Sequence, residues 1–340
     1  MPTMRAIGYR NPGPLARPDS LIALDLERPT PGPHDLLVAV RATSVNPVDV
    51  KLRASAAPPI SGVRVLGFDA AGFVEATGAA VTRFRAGDRV FYAGALDRPG
   101  SNAEYQLVDA RIAGRMPKLS FADAAALPLT SLTAWELLFD RLGVARDRVP
   151  RGDALLVVGG AGGVGSMVIQ LARQLTGLRV IATASRPETR AWCLELGAHD
   201  VVDHQRSLRE ELTGIGVPEV RYIVSLTQTE RHFPALAEVV APQGRIGVID
   251  DPRTLDVVPL KRKSVALMWE LMFTRGLYQT RDLAEQGHIL EAVSDLVDGG
   301  VLRSTATERL PTLTVASLQQ AHALVESGRM RGKLVLGPVG

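Results

Sequence analysis

The residues with the clearest chemistry form a glycine-rich loop between an apolar run at 154–158 and a helical pattern at 166–176. The apolar run predicts a buried parallel strand. Glycine permits a tight turn and a close approach of backbone to phosphate, and the helix N-terminus offers free N–H groups. The strand–loop–helix order therefore predicts a cradle for a dinucleotide pyrophosphate, rather than a glycine-rich turn without a ligand. The residues expected at the pyrophosphate are Gly160, Gly162, Gly163, Val164 and Gly165.

A second candidate feature follows the next predicted strand, 179–184, which ends at Ser185 and Arg186. NAD-binding folds usually place an acidic side chain here, where it accepts hydrogen bonds from the ribose 2′-hydroxyl. A hydroxyl beside a guanidinium instead favours a 2′-phosphate. Arg190, four residues along the helix that Pro187 opens, can face the same place. The pair predicts NADPH as the cofactor; the alternative is a solvated surface arginine.

Composition indicates an ordinary soluble protein. The 340 residues exceed the usual size of one domain, and 46% are apolar and 22% charged. The net charge is only +3, and the densest basic run, 261–263, is too short to predict nucleic-acid binding. The single cysteine, Cys193, excludes an intramolecular disulfide and suits a reducing compartment. Since we see neither an 18-residue apolar span nor a signal peptide, we expect a cytoplasmic protein.

The character of the chain changes twice along its length. Residues 1–125 carry short strand patterns separated by loops rich in glycine and proline. From 126 to 280 strands and helices alternate, as in a doubly wound parallel sheet, with an apolar helix expected at 264–273. Residues 281–340 contain two amphipathic helices and a final apolar strand. The strands expected in the middle part are 154–159, 179–184, 199–203, 220–226 and 244–249.

Several separate motifs then cover nearly the whole chain. They are Ser44-Val45-Asn46-Pro47-Val48-Asp49, Gly67-Phe68-Asp69-Ala70-Ala71-Gly72, Gly87-Asp88-Arg89-Val90, Ala103-Glu104-Tyr105, Pro128-Leu129-Thr130-Ser131-Leu132-Thr133-Ala134, Gly162-Gly163-Val164-Gly165 and Gly332-Lys333-Leu334-Val335-Leu336. This order resembles the medium-chain dehydrogenase/reductase superfamily and, within it, the quinone oxidoreductase (zeta-crystallin-like) branch. The stretch 269–275 resembles the subgroup often labelled zinc-type alcohol dehydrogenase-like.

The resemblance implies an α/β architecture of two domains. A β-rich GroES-like catalytic domain would comprise 1–125 and 281–340, and a Rossmann NADPH-binding domain would comprise 126–280. It also implies a homodimer and a small-molecule substrate. Loops at about 53–64 and 94–102, with the segment 267–280, would shape the substrate pocket.

The zinc ligands of related alcohol dehydrogenases are missing. Those enzymes supply an early cysteine, a Gly-His-Glu segment and a further cysteine, whereas this chain has Asn46 at the first position and Phe68-Asp69 at the second. Its only cysteine, Cys193, belongs to the other predicted domain. Catalytic zinc needs three protein ligands. We therefore expect no metal, and a zinc-type alcohol dehydrogenase with displaced ligands is the alternative.

Without a Lewis acid, hydride transfer suits an acceptor that is already electrophilic, such as a quinone or an α,β-unsaturated carbonyl. By the resemblance, Asn46 would lie beside the nicotinamide and the substrate oxygen, and Asp49 would fix local structure. Lys51, where several relatives carry tyrosine, could donate a proton or stabilise an enolate oxygen. Tyr92 is the other candidate donor. The alternatives are a solvated lysine, a structural tyrosine and a proton from solvent.

Further cofactor contacts come from the resemblance and from the expected sheet. Thr130 and Lys333 resemble positions near the cofactor, and His204 stands where relatives often have a tyrosine by the adenosine ribose or its phosphate. A charged His204 would make NADPH binding depend on pH. Leu226 and Ile249 end or follow predicted strands, where the binding crevice is expected. A third hypothesis is a non-catalytic NADPH-binding or RNA-associated protein, against which the intact motif set argues.

Overall fold

A computed structural model describes residues 2–59 and 62–340, which divide into two compact units. Unit 1 comprises Met1–Leu132 with Phe273–Gly340, and unit 2 comprises Thr133–Met272. The boundaries therefore fall after 132 and 272, where we expected 125 and 280. The reason is local: the Leu129 N–H bonds to Asp69, and the Phe273 ring packs edge-on against Phe68. Residues 60–61, in the first expected pocket loop, lie outside the described residues.

Unit 1 is built from two sheets whose strands pair antiparallel except for the parallel edge pair β15 and β16, with strands numbered in chain order. A seven-stranded sheet has the order β15-β16-β3-β5-β6-β8 with β7 also paired to β3, and a smaller sheet has the order β2-β1-β4. The strands are β1 Thr3–Tyr9, β2 Ile22–Glu27, β3 Asp35–Ser44, β4 Arg64–Val65, β5 Asp69–Thr77, β6 Arg89–Ala93, β7 Tyr105–Asp109, β8 Ala113–Arg115, β15 Ala306–Leu310 and β16 Lys333–Leu336.

Strand β3 forms the centre of this sheet, because Leu36, Val38 and Val40 are buried in an apolar core. Its antiparallel register with β5 ends at the pair Ser44 and Asp69. The end of β3 therefore places the residues after Ser44 beside the start of β5. The helices of this part, with α3 crossing into unit 2, are α1 Pro47–Ser55, α2 Phe121–Ala125, α3 Pro128–Trp135, α8 Thr274–Leu277, α9 Glu285–Asp298 and α10 Val315–Glu326.

Unit 2 is a doubly wound α/β domain, as predicted. All strands of its six-stranded sheet run parallel in the order β11-β10-β9-β12-β13-β14. Strands β10 and β11 are added on one side of β9 and strands β12 to β14 on the other, so the strand order reverses between β9 and β12. The strands are β9 Ala154–Val158, β10 Arg179–Thr183, β11 Asp200–Val202, β12 Val220–Ser225, β13 Val240–Val248 and β14 Ala266–Trp269. The helices are α4 Gly163–Leu175, α5 Pro187–Glu195, α6 Leu208–Gly214 and α7 Thr229–Val239.

Most expected elements are confirmed and one is wrong. The five predicted strands of the middle part correspond to β9–β13, and the two amphipathic helices near the C-terminus are α9 and α10. The stretch 264–273 is not a helix: Ala266–Trp269 extends along β13 as the parallel edge strand β14. Within the described residues, no helix combines the length and the apolar character needed to cross a membrane.

Candidate active site

The glycine-rich loop of unit 2 joins β9 to α4 and has the form expected of a phosphate cradle. Gly159 adopts a φ of 82°, and Gly162 immediately precedes the helix that begins at Gly163. A Cβ on Gly165 would lie 2.4 Å from the carbonyl oxygen of Gly159, so only glycine fits there. The first N–H groups of a helix have no intrahelical acceptor and carry the positive dipole end. The loop thus suits the pyrophosphate group that the sequence predicted.

Two residues that the sequence analysis did not assign support this loop from α5. The Trp192 indole donates a 2.9 Å hydrogen bond to the Ser166 hydroxyl, which in turn donates 2.7 Å to the Gly162 carbonyl. The buried Cys193 sulfur lies 3.2 Å from where a Cβ on Gly160 would stand. Burial raises the pKa of the Cys193 thiol to about 12, so this cysteine packs against the loop and is not reactive.

The end of β10 presents the two residues predicted to select the 2′-phosphate. Ser185 and Arg186 are partly exposed, and the Arg186 Nε lies 3.3 Å from the Glu188 carboxylate. Arg190 behaves differently, because its guanidinium donates to the carbonyls of Ala184 and Val201 at 3.2 and 2.7 Å. Arg190 therefore ties the ends of β10 and β11 together. Its contact with a phosphate stays a prediction.

His204 lies just beyond β11, half-buried, with its ring edge-on to His232 at 5.7 Å between centroids. Burial lowers the pKa of His204 below its usual 6.5, and nearby Arg231 lowers it further against the opposing effect of Asp203. Burial therefore favours the neutral form of the imidazole. The expected pH dependence of NADPH binding through a charged His204 stays a prediction.

Leu226 and Ile249 lie at the carboxyl ends of β12 and β13, as the pattern predicted. The Leu226 N–H donates to the Val158 carbonyl and the Ile249 N–H to the Ser225 carbonyl, each at 3.3 Å. Ligands of open parallel sheets bind outside these strand ends, where the strand order reverses. The glycine loop and both residues share this edge of the sheet in unit 2.

The centre of the candidate site in unit 1 is Asp69, which the sequence analysis named only as a replaced zinc ligand. Its Oδ2 accepts hydrogen bonds from the Ser44 hydroxyl at 2.7 Å and from the Asn46 side-chain nitrogen at 2.8 Å. Its Oδ1 accepts one from the Leu129 N–H at 2.7 Å. Asp69 and Asn46 are both buried. Asp69 therefore links β3, the start of α1 and the start of α3.

Lys333, at the start of β16, completes this cluster. It is 3% exposed, its Nζ donates to the Val45 carbonyl at 2.8 Å and to the Asn46 Oδ1, and the Asp69 Oδ2 lies 3.2 Å away. Burial lowers the pKa of Lys333, and the Asp69 charge opposes that change. All three oxygen atoms that contact the Lys333 amine belong to unit 1. The expected contact of Lys333 with the cofactor remains untested.

Asp49 has the structural role expected of it. One of its carboxylate oxygens accepts from the Asn46 N–H at 2.8 Å and the other from the Gly67 N–H at 2.9 Å. Complete burial raises the pKa of Asp49 to about 7, although these two N–H donors favour the charged form. Asp49 thereby holds the first turn of α1, which starts immediately after Asn46.

The two candidate proton donors lie in different surroundings. Tyr92 is fully buried in the apolar core of unit 1, and its hydroxyl has no hydrogen-bond partner among the described residues. Burial also raises its pKa. The structure thus contradicts Tyr92 as a proton donor, since the group cannot reach a substrate. Lys51 is exposed on α1.

Thr130, expected near the cofactor, donates its hydroxyl at 3.1 Å to the carbonyl of Leu127, the residue before α3. Its contact with a cofactor stays a prediction.

Comparison with known proteins identifies the family. Residues 32–118 match the alcohol dehydrogenase GroES-like domain and residues 163–283 match the zinc-binding dehydrogenase family. A zinc-type alcohol dehydrogenase-like protein of Staphylococcus epidermidis is 38% identical over 337 residues, covering 98% of this chain and 99% of its own. The chain belongs to the medium-chain dehydrogenase/reductase superfamily. Its family makes it an oxidoreductase.

Solved structures of other members are similar over nearly all of the chain. A putative zinc-dependent alcohol dehydrogenase from Rhizobium etli is 52% identical, covers 100% of this chain and 99% of its own, and superposes with a TM-score of 0.96. A quinone oxidoreductase from Pseudomonas syringae is 26% identical, covers 98% and 100%, and has a TM-score of 0.83. The names of these medium-chain relatives therefore include both zinc-dependent and quinone-reducing enzymes.

The residues of this medium-chain dehydrogenase/reductase do not fit a catalytic zinc. Within residues 2–59 and 62–340, no three His, Cys, Asp or Glu side chains gather as metal ligands. At the replaced positions, Phe68 packs against an aromatic ring, and Asp69 already neutralises the Lys333 ammonium. An amide, a phenyl ring and a carboxylate paired with an ammonium do not make the donor set that zinc requires.

Proposed function

We propose that this protein is an NADPH-dependent, zinc-independent oxidoreductase that transfers hydride to a quinone or an α,β-unsaturated carbonyl. The observation that carries the proposal is the cluster around Asp69, in which the cation is Lys333 and both its amine and the Asn46 amide are committed to protein atoms. Such a cluster offers no Lewis acid to an alcohol oxygen. The acceptor must therefore be electrophilic before it binds.

Unit 2 would hold the cofactor, which supplies the hydride when bound. The backbone N–H groups of Gly163, Val164 and Gly165 at the start of α4 would receive the pyrophosphate. Ser185 and Arg186 would receive the 2′-phosphate, because the exposed ion pair of Arg186 with Glu188 is worth little and exchanges readily for a dianion.

Unit 1 would supply the polar side of the substrate site. Asn46 is fixed by Asp69 and Lys333, and Lys51 lies one turn further along α1. With Tyr92 enclosed in the core, Lys51 and solvent are the remaining proton sources. An exposed ammonium can return a proton to the reduced acceptor and obtain another from water.

The test is the oxidation of NADPH and NADH by purified, chelator-treated protein, with 9,10-phenanthrenequinone and a simple enone as acceptors. We expect turnover that survives the chelator and prefers NADPH. Activity lost on chelation and restored by zinc would establish the zinc-type alcohol dehydrogenase instead. Tight NADPH binding without turnover of any acceptor would favour a non-catalytic cofactor-binding protein.

The Arg186 assignment gives a separate prediction. Replacing Arg186 with serine removes a charge-assisted hydrogen bond to the 2′-phosphate, so the dissociation constant for NADPH should rise about 10-fold while that for NADH stays unchanged. Fluorescence titration with each cofactor measures both constants. Arg206→Ser is the matched control, because Arg206 is also an exposed arginine of unit 2 paired with a glutamate. Equal losses for the two cofactors would contradict the assignment.

A further inference from the structure

The surroundings of the Lys333 Nζ are those of a bound cation. Three oxygen atoms face it, namely the Val45 carbonyl, the Asn46 Oδ1 and the Asp69 Oδ2. None of them can donate a proton to the amine in the arrangement observed. Three acceptors require three N–H donors, and only the ammonium form of lysine supplies them.

This ammonium determines which way the Asn46 amide points. The amide oxygen accepts from Lys333, and the amide nitrogen donates to Asp69 at 2.8 Å. If the amide were flipped, its NH2 group would face the Lys333 ammonium and its oxygen would face the Asp69 carboxylate, so neither hydrogen bond could form. Asn46 also stands directly before α1, where its backbone N–H bonds to Asp49. The orientation of the Asn46 side chain is therefore set by Asp69 and Lys333, which lie 23 and 287 residues away in the sequence.

The charges of the cluster depend on the same group. The ionisable side chains that contact or electrostatically influence Lys333 are Asp69 and Asp49, and both are buried. Lys333 is the counter-charge for these carboxyl groups. Removing one partner of a buried pair leaves an uncompensated buried charge, which is strongly destabilising.

We propose that Lys333 is a positioning residue: it is the chain's own cation at this carboxylate and amide cluster, and with Asp69 it fixes the Asn46 side chain for the reaction. In this proposal the tethered ammonium takes the cation position of the cluster, in agreement with the zinc-independent reaction proposed above. Its kinetic part rests on the proposed function, while its structural part does not.

The structural test uses Lys333→Ala with added ethylammonium. Truncation should lower the midpoint of thermal unfolding by several degrees, and ethylammonium should restore part of the loss because it replaces the missing ammonium. Lys263→Ala is the matched control: Lys263 also donates to two carbonyls, but belongs to unit 2 and is not a member of the cluster. Ethylammonium should not affect this control. An unchanged midpoint in Lys333→Ala, or equal rescue of both variants, would overturn the proposal.

The kinetic test is a double-mutant cycle between Lys333 and Asn46, with the quinone as acceptor. Misplacing a positioning group by about 1 Å can cost up to 100-fold, and we expect kcat to fall about 30-fold in Lys333→Met with little change in KM for NADPH. If Lys333 acts through Asn46, then Lys333→Met combined with Asn46→Ala should be no slower than the worse single variant. A double variant whose loss of kcat equals the product of the two single losses would overturn the proposal.

If Lys333→Ala or Lys333→Met does not fold, two further variants still test the proposal. Asp69→Asn with Lys333→Met removes both charges together, which buried pairs tolerate better than the loss of one partner; we expect it to fold and to remain slow. Lys333→Arg keeps the charge and should retain more activity than Lys333→Met. Wild-type kcat in the doubly neutral variant would count against the positioning role. An inactive wild type whose Lys333→Ala variant is still rescued by ethylammonium would refute the proposed function alone.

Discussion

Replacing Gly165 with valine is expected to raise the dissociation constant for NADPH by about 1,000-fold, or about 4 kcal/mol. A Cβ at this position would lie 2.4 Å from the Gly159 carbonyl oxygen and 2.7 Å from that of Gly160. Both contacts are with backbone, so the loop itself must move away from the helix. The movement would misplace two or more of the N–H groups that receive the pyrophosphate.

The control for this substitution is Gly214→Ala. Gly214 ends α6 in the same unit, and a Cβ there would meet no atom within 4 Å. Intrinsic tryptophan fluorescence can follow the folding of both variants, because all three tryptophans of the chain (135, 192 and 269) belong to unit 2. Near-normal NADPH affinity in a folded Gly165→Val protein would show that this helix N-terminus does not hold the cofactor.

The features that could be predicted from the sequence are those whose signals are local. The strand, the glycine loop and the helix around Gly162 are adjacent in the chain, and their order alone indicates a nucleotide-binding unit. The end of β10 at Ser185 and Arg186 followed from the same spacing. Unit 2 was therefore predicted nearly complete, apart from its edge strand.

Edge strand β14 was missed because a short apolar run fits either a buried helix or a strand, and periodicity alone does not separate them. Pairing with β13, from Arg245 with Ala266 to Val248 with Trp269, decides the outcome. Tyr92 was misassigned for a related reason. A tyrosine on a strand has the same sequence signal whether its hydroxyl faces a substrate or, as here, an apolar core.

The cluster around Asp69 could not be found from the sequence. The partners of Asp69 lie 23, 25 and 60 residues away, and Asn46 and Lys333 are 287 residues apart. Only the register of β3 with β5 and β16 brings them together. The one available signal was chemical: a carboxylate in an apolar strand requires a buried partner of opposite charge.

A second buried polar group, outside the Asp69 cluster itself, lies on α10 of unit 1. His322 is fully buried beside apolar residues, and neither of its ring nitrogens has a partner among the described residues. Burial, with a smaller effect of the nearby Arg53 charge, lowers the pKa of His322 from 6.5 to about 3. Arg53 is itself buried and paired with Glu326, so the charged groups near this histidine are one cation and its partly exposed counter-ion.

His322 should therefore make unit 1 less stable in mild acid, while Asp49, whose pKa burial raises to about 7, acts in the opposite direction. Because the unfolded chain binds a proton at His322 below pH 6.5 and the folded chain does so only near pH 3, the unfolded state holds more protons between these values. Lowering the pH from 6.5 to 4 should cost about 3 kcal/mol at this residue. Hydrogen exchange of the α10 amides measures the loss, since unit 1 contains no tryptophan.

His322→Phe should remove this part of the acid sensitivity, because phenylalanine has similar size, suits the apolar surroundings and does not titrate. The difference in the free energy of opening of the α10 amides, variant minus wild type, should therefore become more positive as the pH falls. This change with pH is the test, and the size of the difference at pH 7 does not matter. His288→Gln is the matched control, since the His288 side chain is 61% exposed, and its variant should follow the wild-type curve. Parallel pH curves for wild type and His322→Phe would mean that water or a small ion satisfies the imidazole in solution, and that the burial of His322 does not govern its protonation.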